Sequence, residues 1–250
     1  MGKYDGILIC SDFDGTLFAD GQISVENSEA IRYFQDNGGL FTIVSGRFPE
    51  FFDKYPEIVR PNTYIIGLNG GAICDPHSRE RVYSGRLPDG TYKRADALLD
   101  KYEKLKQIHV FDKYNWQPVT REERGLELDT NQVSKLVFYV AREDSDEMKQ
   151  VIKNEFSEAE YAVERSWING IELLSSDANK GAGIRHLRRL LGDKVHTIIG
   201  VGDYENDISM IKEADIGYAV ENACDELKAL ADRHTVHCRD HAIAKIISEL

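Results

Sequence analysis

Asp12 and Asp14 stand two residues apart directly behind the apolar run Ile7-Leu8-Ile9-Cys10, within the stretch Ile-Leu-Ile-Cys-Ser-Asp-Phe-Asp-Gly-Thr-Leu over residues 7–17. Residues two apart point the same way from an extended chain, so the two carboxylates converge on one small volume. Like charges that close share either a proton or a metal ion. Ending a buried strand in unpaired ions costs several kcal/mol each, so the pair must face solvent, a cation or a reacting group. Gly15 lets the backbone turn tightly, and Thr16 offers a hydroxyl for local bonding. Two plainer readings are a turn after a strand and a calcium loop. The calcium pattern fails because Thr16 and Leu17 fall where further acids should stand.

Other polar groups recur at the ends of apolar runs. Ser45-Gly46-Arg47 follows Leu40 to Val44, Asn69-Gly70-Gly71 follows Tyr64 to Gly67, and Gly202-Asp203-Tyr204-Glu205-Asn206-Asp207 follows Val195 to Val201. Lys180 opens a segment whose apolar positions Ile184, Leu187 and Leu191 recur at helical spacing. Each has a bland explanation taken singly: Ser45 as a turn residue, Lys180 as a surface lysine, Asp203 and Asp207 as helix-capping acids. Their joint appearance in this order is much less easily dismissed.

The elements that must position these groups are legible in the spacing. Ile7 to Cys10 reads as a strand buried on both faces, as in a parallel sheet. Phe18 to Ser24, with a tight-turn signal at Asp20-Gly21, reads as a small flap. A helix starts at the N-cap Ser24, carries Ala30, Ile31 and Phe34 on one face and ends at Asn37-Gly38-Gly39. Leu40 to Val44 is the next strand, so a β-loop-α-β unit delivers two polar motifs to the carboxyl ends of strands, where open α/β sheets bind ligands. Hairpin-like pieces follow at Ala72 to Asp75 and Arg81 to Tyr83.

Between residues 85 and 175 the texture changes: a helix near Thr91 to Lys104, strands near Ile108 to Tyr114 and Leu136 to Val140, a charged helix near Asp144 to Phe156, and extended pieces at Tyr161 to Trp167 and Ile171 to Leu174. That is too long for a loop and enough for a small α+β domain, read here as an inserted cap over 85–175, with the core formed by 1–84 and 176–250. The acidic run Glu143 to Glu147 reads as the solvated first turn of its helix. After residue 180 the α/β pattern returns, with a helix after Asp207, a strand at Ile216 to Val220, a helix at Asp225 to Ala231, a short strand at His234 to Val236 and a last helix at Ile243 to Leu250. The fold class is therefore α/β, a Rossmann-like doubly wound parallel-sheet core with an inserted α+β cap.

Composition sets limits. The chain has 250 residues, 42% hydrophobic and 30% charged, ordinary for a soluble globular protein. A net charge of −12 argues against nucleic acid or an anionic membrane as partner. An anionic substrate would need local cations to overcome that field. No stretch approaches the roughly 18 apolar residues of a membrane-spanning helix. Cys10, Cys74, Cys224 and Cys238 form no C-x-x-C pair and read as free thiols in a reducing cytoplasm.

With DFDGT at 12–16, VSGR at 44–47, NKGAGI at 179–184 and GVGDYENDISMI at 200–211, the chain resembles the haloacid dehalogenase superfamily and, within it, the Cof-like magnesium-dependent phosphatases. The last motif is the most family-specific, and the cap is matched only by position and length. The resemblance implies that Asp12 attacks phosphorus and forms an aspartyl-phosphate, and that Asp14 protonates the leaving oxygen and then deprotonates the attacking water, helped by a pKa raised among neighbouring acids. It implies Mg²⁺ held by Asp12, the Asp14 backbone carbonyl and Asp203, with Asp207 binding a metal-bound water or anchoring Lys180. Ser45, the backbone amides around Gly46, Lys180 and Asn206 would bind phosphate. Arg47 and Asn69 are weaker candidates facing substrate or cap, and an outward salt bridge suits Arg47 almost as well.

The implied function is hydrolysis of small phosphorylated metabolites, sugar phosphates leading, by a cytoplasmic monomer or weak homodimer. Alternatives are a sugar phosphomutase of the same superfamily and a catalytically silent binding module; the second is disfavoured because every charge needed for turnover is present. Cap side chains closing over the leaving group would set specificity, with Trp116, Arg165 and Trp167 as candidates. The chain departs from the family pattern at Asn179 and over His234 to His241, which lacks the usual Asn-rich turn. His234, His237, Cys238 and His241 there could on paper bind zinc, but a strand running into a helix would point them apart, favouring surface or packing roles.

Overall fold

The apolar run ahead of the two aspartates folds as an inner strand of a parallel sheet. The computed structural model, which describes residues 2–54 and 61–250, begins with β1 (Ile7–Ser11), α1 (Val25–Asp36), β2 (Leu40–Ile43), β3 (Ile65–Gly67), β4 (Ala72–Cys74) and β5 (Arg81–Ser84). Next come α2 (Thr91–Lys101), β6 (Leu105–Phe111), β7 (Trp116–Val119), β8 (Lys135–Val140), α3 (Ser145–Glu155), β9 (Tyr161–Trp167) and β10 (Gly170–Ser175). The last part adds α4 (Lys180–Leu191), β11 (Thr197–Gly202), α5 (Ile208–Glu213), β12 (Ile216–Ala219), α6 (Asp225–Leu230), β13 (Arg233–His234) and α7 (Ala242–Ser248). The chain divides into two compact units, Met1–Val82 with Lys180–Leu250, and Tyr83–Asn179.

In the first unit the strands lie in the order β13-β12-β11-β1-β2, all parallel. Leu8, Ile9 and Cys10 are fully buried, as an inner strand flanked on both faces requires. Ser24 caps α1 by accepting the Asn27 N–H at 3.2 Å, and α1 packs against α7 over a core that includes Ile9, Phe34, Phe41, Val201, Tyr218 and Ile246. α4 packs on α5, which lies against β11 and β12. From β1 the chain winds outward to β2, and from β11 it winds the other way to β12 and β13. The winding therefore reverses between β1 and β11, and at that reversal the carboxyl ends of the strands open a crevice.

The second unit is a five-stranded antiparallel sheet in the order β7-β6-β8-β10-β9. Alternation divides its side chains: Ile108, Val110, Leu136, Phe138, Ile171 and Leu173 join residues of α2 and α3, such as Leu98, Leu99, Met148 and Ile152, in one apolar cluster. On the opposite face Lys135 and Glu172 form an ion pair of 3.3 Å, with side chains only 3% and 1% exposed. Two expectations need correction here. β6 starts at Leu105 and stops at Phe111, because the Asp112 carboxylate accepts the Tyr114 and Asn115 N–H groups at 2.7 and 2.6 Å and turns the chain. The returning strand β7 was not foreseen: Trp-Gln-Pro-Val is short and holds a proline, which demotes a strand in sequence but is tolerated at this sheet edge. Likewise α2 ends at Lys101, and the residues expected to continue it lead into β6.

Among the described residues no helix is long and apolar enough to cross a membrane.

Candidate active site

Asp12 is the first residue past β1, and its N–H still donates to the Val201 carbonyl of β11 at 2.8 Å. That bond fixes its backbone at the reversal point. Asp203 is the first residue past β11. The Asp203 and Tyr204 N–H groups donate to the same Asp207 carboxylate oxygen at 2.9 and 3.1 Å, so Asp207 closes the turn that leads into α5. Lys180 opens α4, where the Gly181 N–H donates to Ser209 Oγ at 3.2 Å and ties the helix start to α5. Its ammonium is fully buried and donates to Asp12 Oδ1 at 2.5 Å and to Asp207 Oδ1 at 2.6 Å.

Asp12, Asp203 and Asp207 each bring one carboxylate oxygen to within 4.8 Å of the others. Three carboxylates facing one ammonium leave a negative excess in a site where burial is nearly complete. Burial, then neighbouring Asp207, pushes the Asp203 carboxyl up to about 7. Burial also drives Asp12 well above its ordinary range, with Asp207 and Asp203 adding to the effect and Lys180 opposing it. For Lys180, burial alone would lower the pKa, but Asp12 and then Asp207 outweigh it and hold the ammonium charged. A donor set of hard carboxylate oxygens with uncompensated negative charge fits a divalent cation.

The loop after Asp12 is shaped around Asp203. Gly15 has φ +83°, and a Cβ there would lie 2.6 Å from Asp203 Oδ2, so neither the conformation nor the space admits another residue. Thr16, fully buried, donates its hydroxyl to Asp203 Oδ1 at 2.9 Å. The hydroxyl foreseen as a local turn partner thus bonds across the chain.

Asp14 departs from expectation. Its side chain is not in the carboxylate cluster; it is about half exposed and takes both Arg47 bonds, from Nε at 2.7 Å and from the terminal nitrogen at 2.6 Å. The neighbour of this carboxyl is a guanidinium rather than the acids foreseen. Backbone geometry explains it: Asp12 is still held by the sheet, while Asp14 already lies in the turn that Gly15 completes. Arg47 also stacks its guanidinium over Phe51 at 4.1 Å.

Ser45 is buried past β2, and its Oγ accepts the Arg47 N–H at 3.2 Å. The Asn69 N–H donates to the Ser45 carbonyl at 2.8 Å, and Asn206 Nδ2 donates to Asn69 Oδ1 at 3.3 Å. A Cβ on Gly46 would lie 3.3 Å from the Asn69 amide. Ser45, Gly46, Asn69 and Asn206 therefore form one polar group, drawn from β2, the turn after β3 and the turn after β11. The histidine segment supplies no metal cluster among the described residues. His234 bonds the Lys228 carbonyl, His237 Nδ1 accepts the Arg239 N–H, and His241 lies 3.4 Å from Glu26.

One residue of this site was missed in the sequence. Asn222 donates Nδ2 to the Gly15 carbonyl at 2.8 Å, while its Oδ1 accepts the Cys238 N–H at 3.0 Å. It pins the turn after the two aspartates to the segment before α7. The available signal was its place soon after the carboxyl end of a strand of the parallel sheet, the region that gives Asp12, Ser45 and Asp203. Asn222→Ala is expected to lower turnover by about ten- to a hundredfold through misplacement of the loop. Asn222→Asp, which keeps the acceptor and loses the donor, should behave alike. Steady-state kinetics beside a thermal melt checks this, and a large fall in melting temperature with unchanged turnover per folded molecule would contradict it.

The sequence profile of the haloacid dehalogenase-like hydrolases matches residues 9–247. The chain belongs to that family. Among curated relatives, a 5-amino-6-(5-phospho-D-ribitylamino)uracil phosphatase of Bacillus subtilis is 30% identical over 243 residues, covering 96% of this chain and 94% of the relative. A phosphoglycolate phosphatase of Staphylothermus marinus is 28% identical, covering 97% of each chain. The fold is that of a haloacid dehalogenase-like hydrolase structure from B. subtilis, with a TM-score of 0.82 over 97% of this chain and 99% of the other at 22% identity. Within the family the chain is a phosphatase of the Cof-like kind.

Proposed function

We propose that the protein is a Mg²⁺-dependent phosphatase of small phosphorylated metabolites, phosphorylated sugars and sugar-derived chains above all, acting through an aspartyl-phosphate on Asp12. The observation that carries this reading is the meeting of Asp12, Asp203, Asp207 and Lys180 in one buried cluster at the carboxyl ends of β1 and β11 and the start of α4. The substrates named for the two curated relatives are both small phosphomonoesters.

Asp12 serves as the nucleophile, attacking phosphorus as the leaving oxygen departs. Lys180, held rigidly between two carboxylates, sets its ammonium beside the attacking oxygen and neutralises charge that grows on the phosphoryl group. Ser45, the amides around Gly46 and Asn206 donate to phosphoryl oxygens. Asp14 gives a proton to the leaving oxygen and later takes one from the water that cleaves the acyl phosphate. To do so it must let go of Arg47. Asp12, Asp203 and the Asp14 carbonyl would hold the Mg²⁺, with Asp207 acting through water or as the anchor of Lys180. When bound, the ion supplies the positive charge that lets a carboxylate approach a phosphate dianion. The inserted unit would carry substrate selectivity. Four free cysteines suit the reducing cytoplasm as its compartment.

Phosphate release from p-nitrophenyl phosphate tests the reading. It is expected to require added Mg²⁺, to vanish in excess EDTA and to return when Mg²⁺ is restored. A pure, folded preparation that stays inert with Mg²⁺ toward this ester and a panel of metabolite phosphates would end it.

A further inference from the structure

Three consecutive residues after β3 take left-handed backbone angles. Leu68 has φ +51°, Asn69 has φ +53° and ψ +38°, and Gly70 has φ +101°. Glycine takes such angles without penalty, whereas Leu68 and Asn69 are strained there, and strain of this kind persists only where the surroundings over-determine it. Here they do. The Ser45 N–H donates to the Ile66 carbonyl at 2.9 Å, the Leu68 N–H to the Arg47 carbonyl at 2.9 Å and the Asn69 N–H to the Ser45 carbonyl at 2.8 Å. These bonds clasp the turn onto the segment that carries Ser45 and Gly46. The helix that Lys180 opens, α4, packs on the same turn, and a Cβ on Gly183 would lie 2.8 Å from Ile66 and 3.5 Å from the Gly70 Cα. All of these residues belong to the unit of Met1–Val82 with Lys180–Leu250.

The two strained side chains do different things. Leu68 is fully buried apolar bulk. Asn69 is buried as completely, and a polar side chain shut away from water is costly unless it is bonded. Glycine would take the backbone of position 69 without strain, as it does at Gly70, so the amide itself must account for asparagine there. Its Oδ1 accepts from Asn206 Nδ2 at 3.3 Å, and the same amide lies against Gly46, where a Cβ would come within 3.3 Å of it. Accepting one N–H of Asn206 fixes the plane and sense of that amide, and with them the direction of the other N–H on the same nitrogen.

We propose that Asn69 is a positioning residue of the phosphate-binding set: it orients the Asn206 amide relative to Ser45 and Gly46, so that donors from the ends of β2 and β11 address one phosphoryl group. The strained turn is what brings its side chain to that point. This rests on the phosphatase reading of the core and adds to it a residue that acts through Asn206 rather than on the substrate.

Asn69→Gly and Asn69→Ala both delete the amide, but only the first relieves the backbone. Asn69→Gly is therefore expected to melt about 2–4 °C above Asn69→Ala. If Asn69 positions a donor, the two variants should nevertheless share one defect. With p-nitrophenyl phosphate and Mg²⁺, kcat/KM should fall about tenfold in each, and calorimetric titration with inorganic phosphate in the presence of Mg²⁺ should show binding weakened by a similar factor. In protein already carrying Asn206→Ala, adding Asn69→Gly should change either quantity less than about twofold, because the group it orients is gone. Should Asn69→Ala fail to fold, Asn69→Gly and the double variant still carry this comparison.

Independent, multiplying losses in the double variant, or defects that follow the melting temperatures of the glycine and alanine variants, would overturn the proposal and leave the phosphatase standing. A wild type inert toward phosphoesters that binds inorganic phosphate, with the losses still coupled, would remove the phosphatase reading and keep Asn69 in this role. A wild type that neither turns over nor binds phosphate would overturn both.

Discussion

Asp12→Asn is expected to abolish phosphate release, lowering kcat by about 10⁴-fold or more while the protein stays folded. The amide matches the carboxylate in size but cannot attack phosphorus, and a loss of that order corresponds to about 5.5 kcal/mol of barrier. The fold should survive because Asp12 is placed by a backbone bond to Val201, which the substitution leaves in place. The amide oxygen can still accept from Lys180, and Asp207 remains as its second partner. Removing one of the three clustered carboxylates also reduces the negative excess of the site. The melting temperature without metal should therefore hold or rise. Acid-quenched wild type incubated with substrate should carry phosphate on the peptide containing Asp12, and the variant none. Residual turnover above about one per cent in the variant would mean that water, not this carboxylate, attacks phosphorus.

Lys180→Met should damage activity and stability together. Its ammonium is the one cation bonded to Asp12 and Asp207 among the described interactions, and it is fully buried. A methionine fills similar space but leaves two carboxylates facing each other out of water. Breaking a buried pair by removing one partner typically costs about 3–5 kcal/mol, because the remaining charge is left uncompensated. Loss of a preorganised charge beside the reacting group should cost a further factor of about 10²–10³ in kcat. Added Mg²⁺ should recover part of the stability, since a cation near the same oxygens replaces some of the missing charge. It should not recover the rate, because the ammonium's place beside the attacking oxygen stays empty. Thermal melts with and without Mg²⁺, beside saturating kinetics, check both halves. A variant as stable as the wild type without metal would show that Lys180 is not the counter-ion of this cluster.

Much of this protein can be read from local pattern. The strands β1, β2 and β11 announce themselves as short apolar runs, and α1 by its cap and its apolar spacing. Each such signal depends on neighbours within a few residues, so the sequence carries it whole. The polar groups at the ends of those strands were legible for the same reason, and the topology then required them to meet, since parallel strands share one carboxyl edge.

What escaped the reading lies in partners far apart in the chain. Arg47 reaches Asp14 across 33 residues, Thr16 reaches Asp203 across 187, and Asn222 reaches Gly15 across 207. No periodicity encodes such pairs. β7 escaped similarly, because Trp-Gln-Pro-Val becomes a strand only once its antiparallel register with β6 is set. The amino-acid order by itself thus determined which elements form and which residue types stand at their ends, since hydrophobic spacing and capping act over a few bonds. Only the tertiary structure decided which carboxylate faces the lysine and which faces the arginine, because Coulomb and hydrogen-bond partners are chosen by distance in space.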